Sequence, residues 1–151
     1  MTKPPSPPRI MRIVSGGQTG VDRGALDAAI ALGLAHGGWC PRGRRAEDGV
    51  IPPQYRLQEC DSPAYHIRTE RNVQDSDGTL ILFRGHLSRG TSLTQEFAQK
   101  HRKPCLLINL GREPSVAAAR DWLTKHRIAV LNVAGPRESW APISGAKPTL
   151  F

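Results

Sequence analysis

Three observations predict an α/β fold with a mainly parallel sheet covered on both faces. Near the start, the apolar run Ile10-Met11-Arg12-Ile13-Val14 breaks into Gly16-Gly17-Gln18-Thr19-Gly20, and a helical pattern opens at once. From Thr79 onward, short apolar runs alternate with amphipathic segments over short connections. In one sheet that alternation means right-handed crossovers and parallel strands. At 151 residues the chain is long enough for one core and too short for two.

The elements follow in order. Residues 1–9 carry four prolines and are expected to form a disordered tail, with 10–151 a single ligand-binding domain. The first strand is expected over Ile10–Ser15. A helix over Gly20–Leu34 follows, with Val21, Ala25, Ala28, Ala29 and Leu32 on one face, and Gly33 and Gly37-Gly38 punctuate its end. Residues 37–65 lack periodicity, but Trp39, Ile51, Tyr55 and Leu57 supply apolar anchors for an ordered excursion. A short helix from Thr69 to Asp75 precedes the strand Thr79–Phe83. Ser92-Leu93-Thr94-Gln95 reads as a capping box opening a helix over Leu93–Lys100, which Pro104 ends. The strand Cys105–Asn109, a helix from Pro114-Ser115 through Arg120, Trp122 and Leu123, and the strand Ile128–Val133 complete the pattern.

Composition narrows the function classes. No apolar stretch is long enough to span a bilayer, and the N-terminus lacks the apolar core of a secretory signal, so a cytoplasmic protein without membrane association is expected. Cys40, Cys60 and Cys105 have no metal-ligand spacing and read as reduced thiols; the five histidines do not pair on a helix face, and no metal site is expected. The net charge of +8 suits nucleic acid, an anionic small ligand or a solubilising surface. Arg23, Arg42, Arg44, Arg45, Arg89 and Arg137 sit in or beside turns rather than in one helical stripe with interleaved aromatics. That placement favours a phosphate-bearing small molecule over nucleic acid.

Ligands of open parallel sheets sit beyond the carboxyl ends of the strands. Three unusual turns follow predicted strands: Gly16–Gly20, Gly85–Ser92 and Ala134–Ser139. Two of them also open helices, where glycine admits close backbone approach and the unpaired amides favour an anion. The first turn is neither a Walker loop, having no Lys after its last Gly, nor the dinucleotide G-x-G-x-x-G. Anion binding and a purely structural strand-to-helix turn both fit it.

Long motifs carry a resemblance: Gly16-Gly17-Gln18-Thr19-Gly20-Val21-Asp22-Arg23, the segment Gly37–Gly49, Thr69-Glu70-Arg71-Asn72-Val73 with Ser76-Asp77, Gly90-Thr91 with Glu96-Phe97, and Leu131–Ser139. Over roughly residues 10–142 the chain resembles the "putative molybdenum carrier" family. That family is similar to molybdenum cofactor carrier proteins, within the Rossmann-like group that includes the Lonely Guy phosphoribohydrolases. The resemblance implies a Rossmann-like three-layer sandwich, a homo-oligomer (dimer or tetramer), and a bound molybdenum cofactor, related pterin phosphate or nucleotide-like anion. It implies that Gly16, Gly17, Gln18, Thr19 and Gly20 form one phosphate turn and that Ser88, Gly90 and Thr91 form a second. Glu96 matches the acidic residue of the related hydrolases. After Pro136-Arg137-Glu138-Ser139 the chain departs from the family, because Ile143–Pro148 does not read as the usual closing helix.

Several side chains carry two readings. Gln18 and Thr19 are ligand contacts or helix caps; Arg23 reaches an anion or pairs with Asp22. Arg42 and Arg44 clamp an oxyanion or belong to a solvated charge run. Arg71 and Asn72 touch ligand or serve as a cap and a surface pair, while Gly135, Arg137 and Glu138 join the binding set as the third turn. Glu96 acts as an acid in a nucleotide or nucleoside-phosphate N-glycosidic hydrolase, or is simply stabilised by its helix dipole. A non-catalytic carrier of an anionic small molecule leads; the hydrolase and a nucleotide-sensing module are the alternatives.

Overall fold

The computed structural model describes residues 9–112 and 116–139. Met1 to Pro8 of the expected tail, the helix start at Pro114-Ser115 and the segment Ile143–Pro148 lie outside the described residues.

The element order is β1 (Arg12–Val14), α1 (Val21–Ala31), β2 (Ala35–Gly37), β3 (Trp39–Cys40), β4 (Arg45–Ala46), β5 (Gly49–Val50), β6 (Gln58–Glu59), α2 (Tyr65–Gln74), β7 (Gly78–Phe83), α3 (Arg89–Lys100), β8 (Cys105–Asn109), α4 (Val116–Lys125) and β9 (Val130–Ala134). Five strands form one sheet in the order β2-β1-β9-β7-β8, and every pairing in it is parallel. Counted in chain order, those strands stand 2-1-5-3-4. Renumbering the last strand as the first turns that series into 3-2-1-4-5, the order of a doubly wound dinucleotide fold. The chain is therefore a Rossmann-like sheet whose leading strand has moved to the end of the sequence.

Alternation along the strands builds the two outer layers. Ile13, Leu80, Leu82, Leu131 and Val133 face one side and pack with Val21, Ala25 and Ala29 of α1 and Trp122 and Leu123 of α4. The other side is covered by α2 and α3, which pack on each other, with α3 also lying against β7 and β8. A second cluster, Leu26, Cys40, Ile51 and Tyr55 with Ala46 and Leu57, anchors the excursion after β2. The excursion holds two small ladders, parallel β3–β6 and antiparallel β4–β5. Among the described residues no helix is long and apolar enough to cross a membrane.

Four expectations change. β2 was hidden because Ala35-His36-Gly37 carries no apolar alternation; pairing with β1 makes it a strand. α2 begins at Tyr65 instead of Thr69, with Ala64 as its extended N-cap directly after Pro63. α3 begins at Arg89, and Ser88 is its cap: the Ser88 hydroxyl accepts from the Thr91 amide, whereas the Ser92 amide donates to the Ser88 carbonyl inside the helix. β9 starts two residues later than expected, below Asp77, whose Oδ2 accepts from the Ala129 and Val130 amides.

Candidate functional site

In a sheet of this order the connections lead away in opposite directions on either side of the parallel β9–β7 pair, and a crevice opens beyond the carboxyl ends of those strands. A cleft of about 360 Å³ lies there. Its walls come from the first turn (Gln18, Asp22), from α2 (Tyr65, His66, Arg68, Thr69), from the start of α3 (Ser88–Thr91, Leu93, Thr94) and from the loop after β9 (Ala134–Arg137, Ser139). All three expected turns reach it, but they reach it differently.

The first turn is closed on itself. The Gln18 amide donates to Asp22 Oδ2 at 3.2 Å, and Arg68 Nη1 approaches the same oxygen at 3.4 Å. A buried carboxylate of the chain's own thus occupies the anion position that this turn offers. Burial pushes the Asp22 carboxyl above its ordinary value, against the opposing pull of Arg68, the Gln18 amide, Arg137 and Arg23. The glycines serve packing. A Cβ on Gly16 would stand 1.8 Å from Arg68 Nη1, and one on Gly17 would stand 2.5 Å from a Leu57 methyl. Gly20, at φ +82°, presses against the Pro136 carbonyl, so the first and third turns are built as one unit.

The excursion fastens that unit. Gln18 Nε2 donates to the Arg45 carbonyl at 2.9 Å. Arg23 grips Asp48 with both terminal nitrogens and donates from Nε to the Gly17 carbonyl at 3.0 Å. Glu47 accepts from the Thr19 hydroxyl and from the Ser139 hydroxyl and amide; the Ser139 hydroxyl contributes most to holding its carboxyl below the usual range. The β4–β5 hairpin is a strap over the glycine turn.

The start of α3 is open. Ser88 takes the Thr91 amide and shares a hydrogen bond with the Thr91 hydroxyl, leaving the first amides of the helix, Arg89 and Gly90, without an intrahelical acceptor. Gly90 is exposed, and a Cβ there would meet nothing within 4 Å. Across the cleft, the Arg137 guanidinium lies over the Tyr65 ring at 4.3 Å, and Arg68 lies 5.7 Å from the same ring. Two guanidinium groups and an aromatic ring therefore share one cleft with a helix N-terminus.

The other expected residues lie elsewhere. Arg44 spends its guanidinium on the carbonyls of Ile51, Pro52 and Tyr55, at 2.8 to 3.2 Å. Asn72 is buried and brackets Trp39, accepting from its amide and donating to its carbonyl. Arg71 stacks on the Trp39 ring at 4.7 Å. Arg42 and Glu96 are exposed and outside the cleft lining. Glu138 is exposed, with its amide donating to the Thr19 hydroxyl. Gly135 borders the cleft, and a Cβ there would stand 2.4 Å from the Leu82 carbonyl. The cleft residues on α2, Tyr65, His66, Arg68 and Thr69, were all absent from the expected binding set. Starting α2 one turn earlier, straight after Pro63, would have placed Tyr65, Arg68, Thr69 and Asn72 at i, i+3, i+4 and i+7 on one face.

Residues 13–149 match the model of the circularly permutated YpsA SLOG family. The chain belongs to that family. The permuted strand order agrees with its description. A solved structure of this family's fold, described as a "putative molybdenum carrier protein" from Syntrophus aciditrophicus, is 49% identical, covers 91% of this chain and 89% of its own, and superposes with a TM-score of 0.87. No curated protein matches the chain.

Proposed function

We propose that this member of the permutated SLOG family is a molybdenum-carrier-like binding protein. Its ligand is a phosphate-bearing anion of the molybdenum cofactor or pterin phosphate class, held in the cleft between β9 and β7. The likeness to the Syntrophus protein supports the cargo class. The observation that carries the reading is the start of α3, where Ser88 caps only the Thr91 amide and Arg89 and Gly90 share the cleft lining with Arg68 and Arg137. Phosphate binds there by charge and main-chain donors, and no bond-making group is required. In this reading molybdenum travels on the ligand's own donor atoms. The resemblance adds a homo-oligomer, which native mass spectrometry counts directly.

Gly90→Asp tests the reading. The position is helical and open, and an acidic side chain in a first turn favours the helix, so thermal stability stays level or rises. The same carboxylate takes the phosphate position, and calorimetric titration with inorganic phosphate then shows at least a tenfold loss of affinity. Equal phosphate affinity in the wild type and the variant, or no saturable binding by either, overturns it.

A further inference from the structure

We propose that Asp22 and the cleft form one proton-coupled anion site, in which Asp22 takes up a proton as the anion enters and releases it as the anion leaves. The proposal rests on the reading of the cleft as an anion site and assigns how its occupancy is regulated. Asp22 is 3% exposed, and its Oδ2 accepts from the Gln18 amide at 3.2 Å and from Arg68 Nη1 at 3.4 Å. Among the described residues no hydrogen bond reaches Oδ1, so a proton on that oxygen leaves both contacts of Oδ2 in place.

The groups around the carboxylate set the sign of the coupling. Arg68 reaches it from α2, Arg137 acts from the loop after β9, and Arg23 acts from its own helix. Arg23 is committed to Asp48 and the Gly17 carbonyl, and Glu47 of the strap is held by Thr19 and Ser139. From α3, the charged residue on the cleft wall is the exposed Arg89; from α2, His66 stands on the wall beside Arg68. Arg68 and Arg137 both line the cleft, so a bound anion and an ionised Asp22 draw on the same two cations. An anion in the cleft occupies those cations and repels a second negative charge, which favours the neutral carboxyl. Burial already pushes the carboxyl up before any anion arrives. Below the empty-site pKa the proton is present with or without the anion, and pH has no effect. Between the empty-site and the occupied-site values a proton enters with each anion, and affinity falls as pH rises.

The probe is inorganic sulfate, a tetrahedral dianion whose own charge stays constant from about pH 4 to about pH 7, unlike that of phosphate. Calorimetric titration across that range, in pairs of buffers with different ionisation enthalpies, reads both affinity and the number of protons taken up. His66→Gln removes the other wall residue that titrates in the range. In that background sulfate affinity falls about fivefold from the acid to the neutral end, with a maximum uptake of about 0.4 of a proton. Adding Asp22→Asn abolishes the uptake and holds affinity near the acid value at every pH. No uptake by His66→Gln, a count that needs no change at Asp22, overturns the proposal, and so does uptake that survives Asp22→Asn. If sulfate binds without proton uptake and Gly90→Asp abolishes that binding, the anion site stands without the coupling. If Asp22→Asn removes the uptake but Gly90→Asp changes nothing, the coupling stands and the start of α3 falls as the anion's seat. Sulfate that fails to saturate the protein at any pH overturns both.

Discussion

The first turn and the start of α3 are both strand-to-helix junctions rich in glycine, and they end in opposite states. Gly16–Gly20 is consumed from within: Asp22 takes its amide, Arg68 covers Gly16, and the strap of Arg45–Val50 closes over it. Ser88–Thr91 spends one side chain on one amide and leaves Gly90 in open space. A glycine-rich turn at a helix start is therefore not by itself an anion site. The deciding variable is whether a carboxylate of the chain already sits in the cradle.

Substituting glycine in each turn gives the widest separation. Gly20→Ala forces an L residue to φ +82° with its Cβ 2.5 Å from the Pro136 carbonyl. The expected cost is about 3 kcal/mol in urea unfolding. Gly90→Ala meets nothing and gains helix propensity, so it stabilises by about 0.5 kcal/mol. Equal effects at the two positions would erase the contrast.

Removing the internal anion is the next largest change. Asp22→Asn keeps an acceptor for the Gln18 amide but frees the charge of Arg68, and phosphate affinity is expected to rise about fivefold, or about 1 kcal/mol. The same variant has a signature in pH. The folded-state carboxyl lies above its ordinary value of 3.8, so the native state binds the proton more tightly than the unfolded chain. Asp22 therefore stabilises most below that value, and its contribution is lost as pH rises through the folded-state pKa. Each unit of upward shift is worth about 1.4 kcal/mol. Denaturation at a series of pH values from 3 to 7 should show the variant gaining on the wild type as pH rises; a widening deficit would show that Arg68 outweighs burial.

The strap supplies the smallest effect. Asp48 is 46% exposed, and Asp48→Asn is expected to cost only about 0.5 kcal/mol, measured as a shift in urea midpoint, because water screens much of its pair with Arg23.

The parallel architecture was legible because strand and helix periodicities are local, and β7, β8 and α1 emerged close to their expected bounds. β2 was not legible, since three residues without alternation become a strand only through the neighbour they pair with. Of the expected binding residues, Gln18, Ser88, Gly90, Thr91, Gly135 and Arg137 border the cleft. Arg23, Arg44 and Asn72 hold the scaffold instead, for a common reason: each spends its donors on partners of the excursion, at separations that no local pattern records.

By itself, the order of residues determined the layers, the places where glycine interrupts them and the excess of positive charge, because each depends on neighbours a few positions apart. Tertiary structure alone decided that the last strand takes the leading position in the sheet, that Arg68 comes to lie against Gly16, and that one turn is sealed by Asp22 while another stays open. Those outcomes depend on contacts between distant segments, whose geometry exists only once the sheet has formed and water has been driven from between its layers.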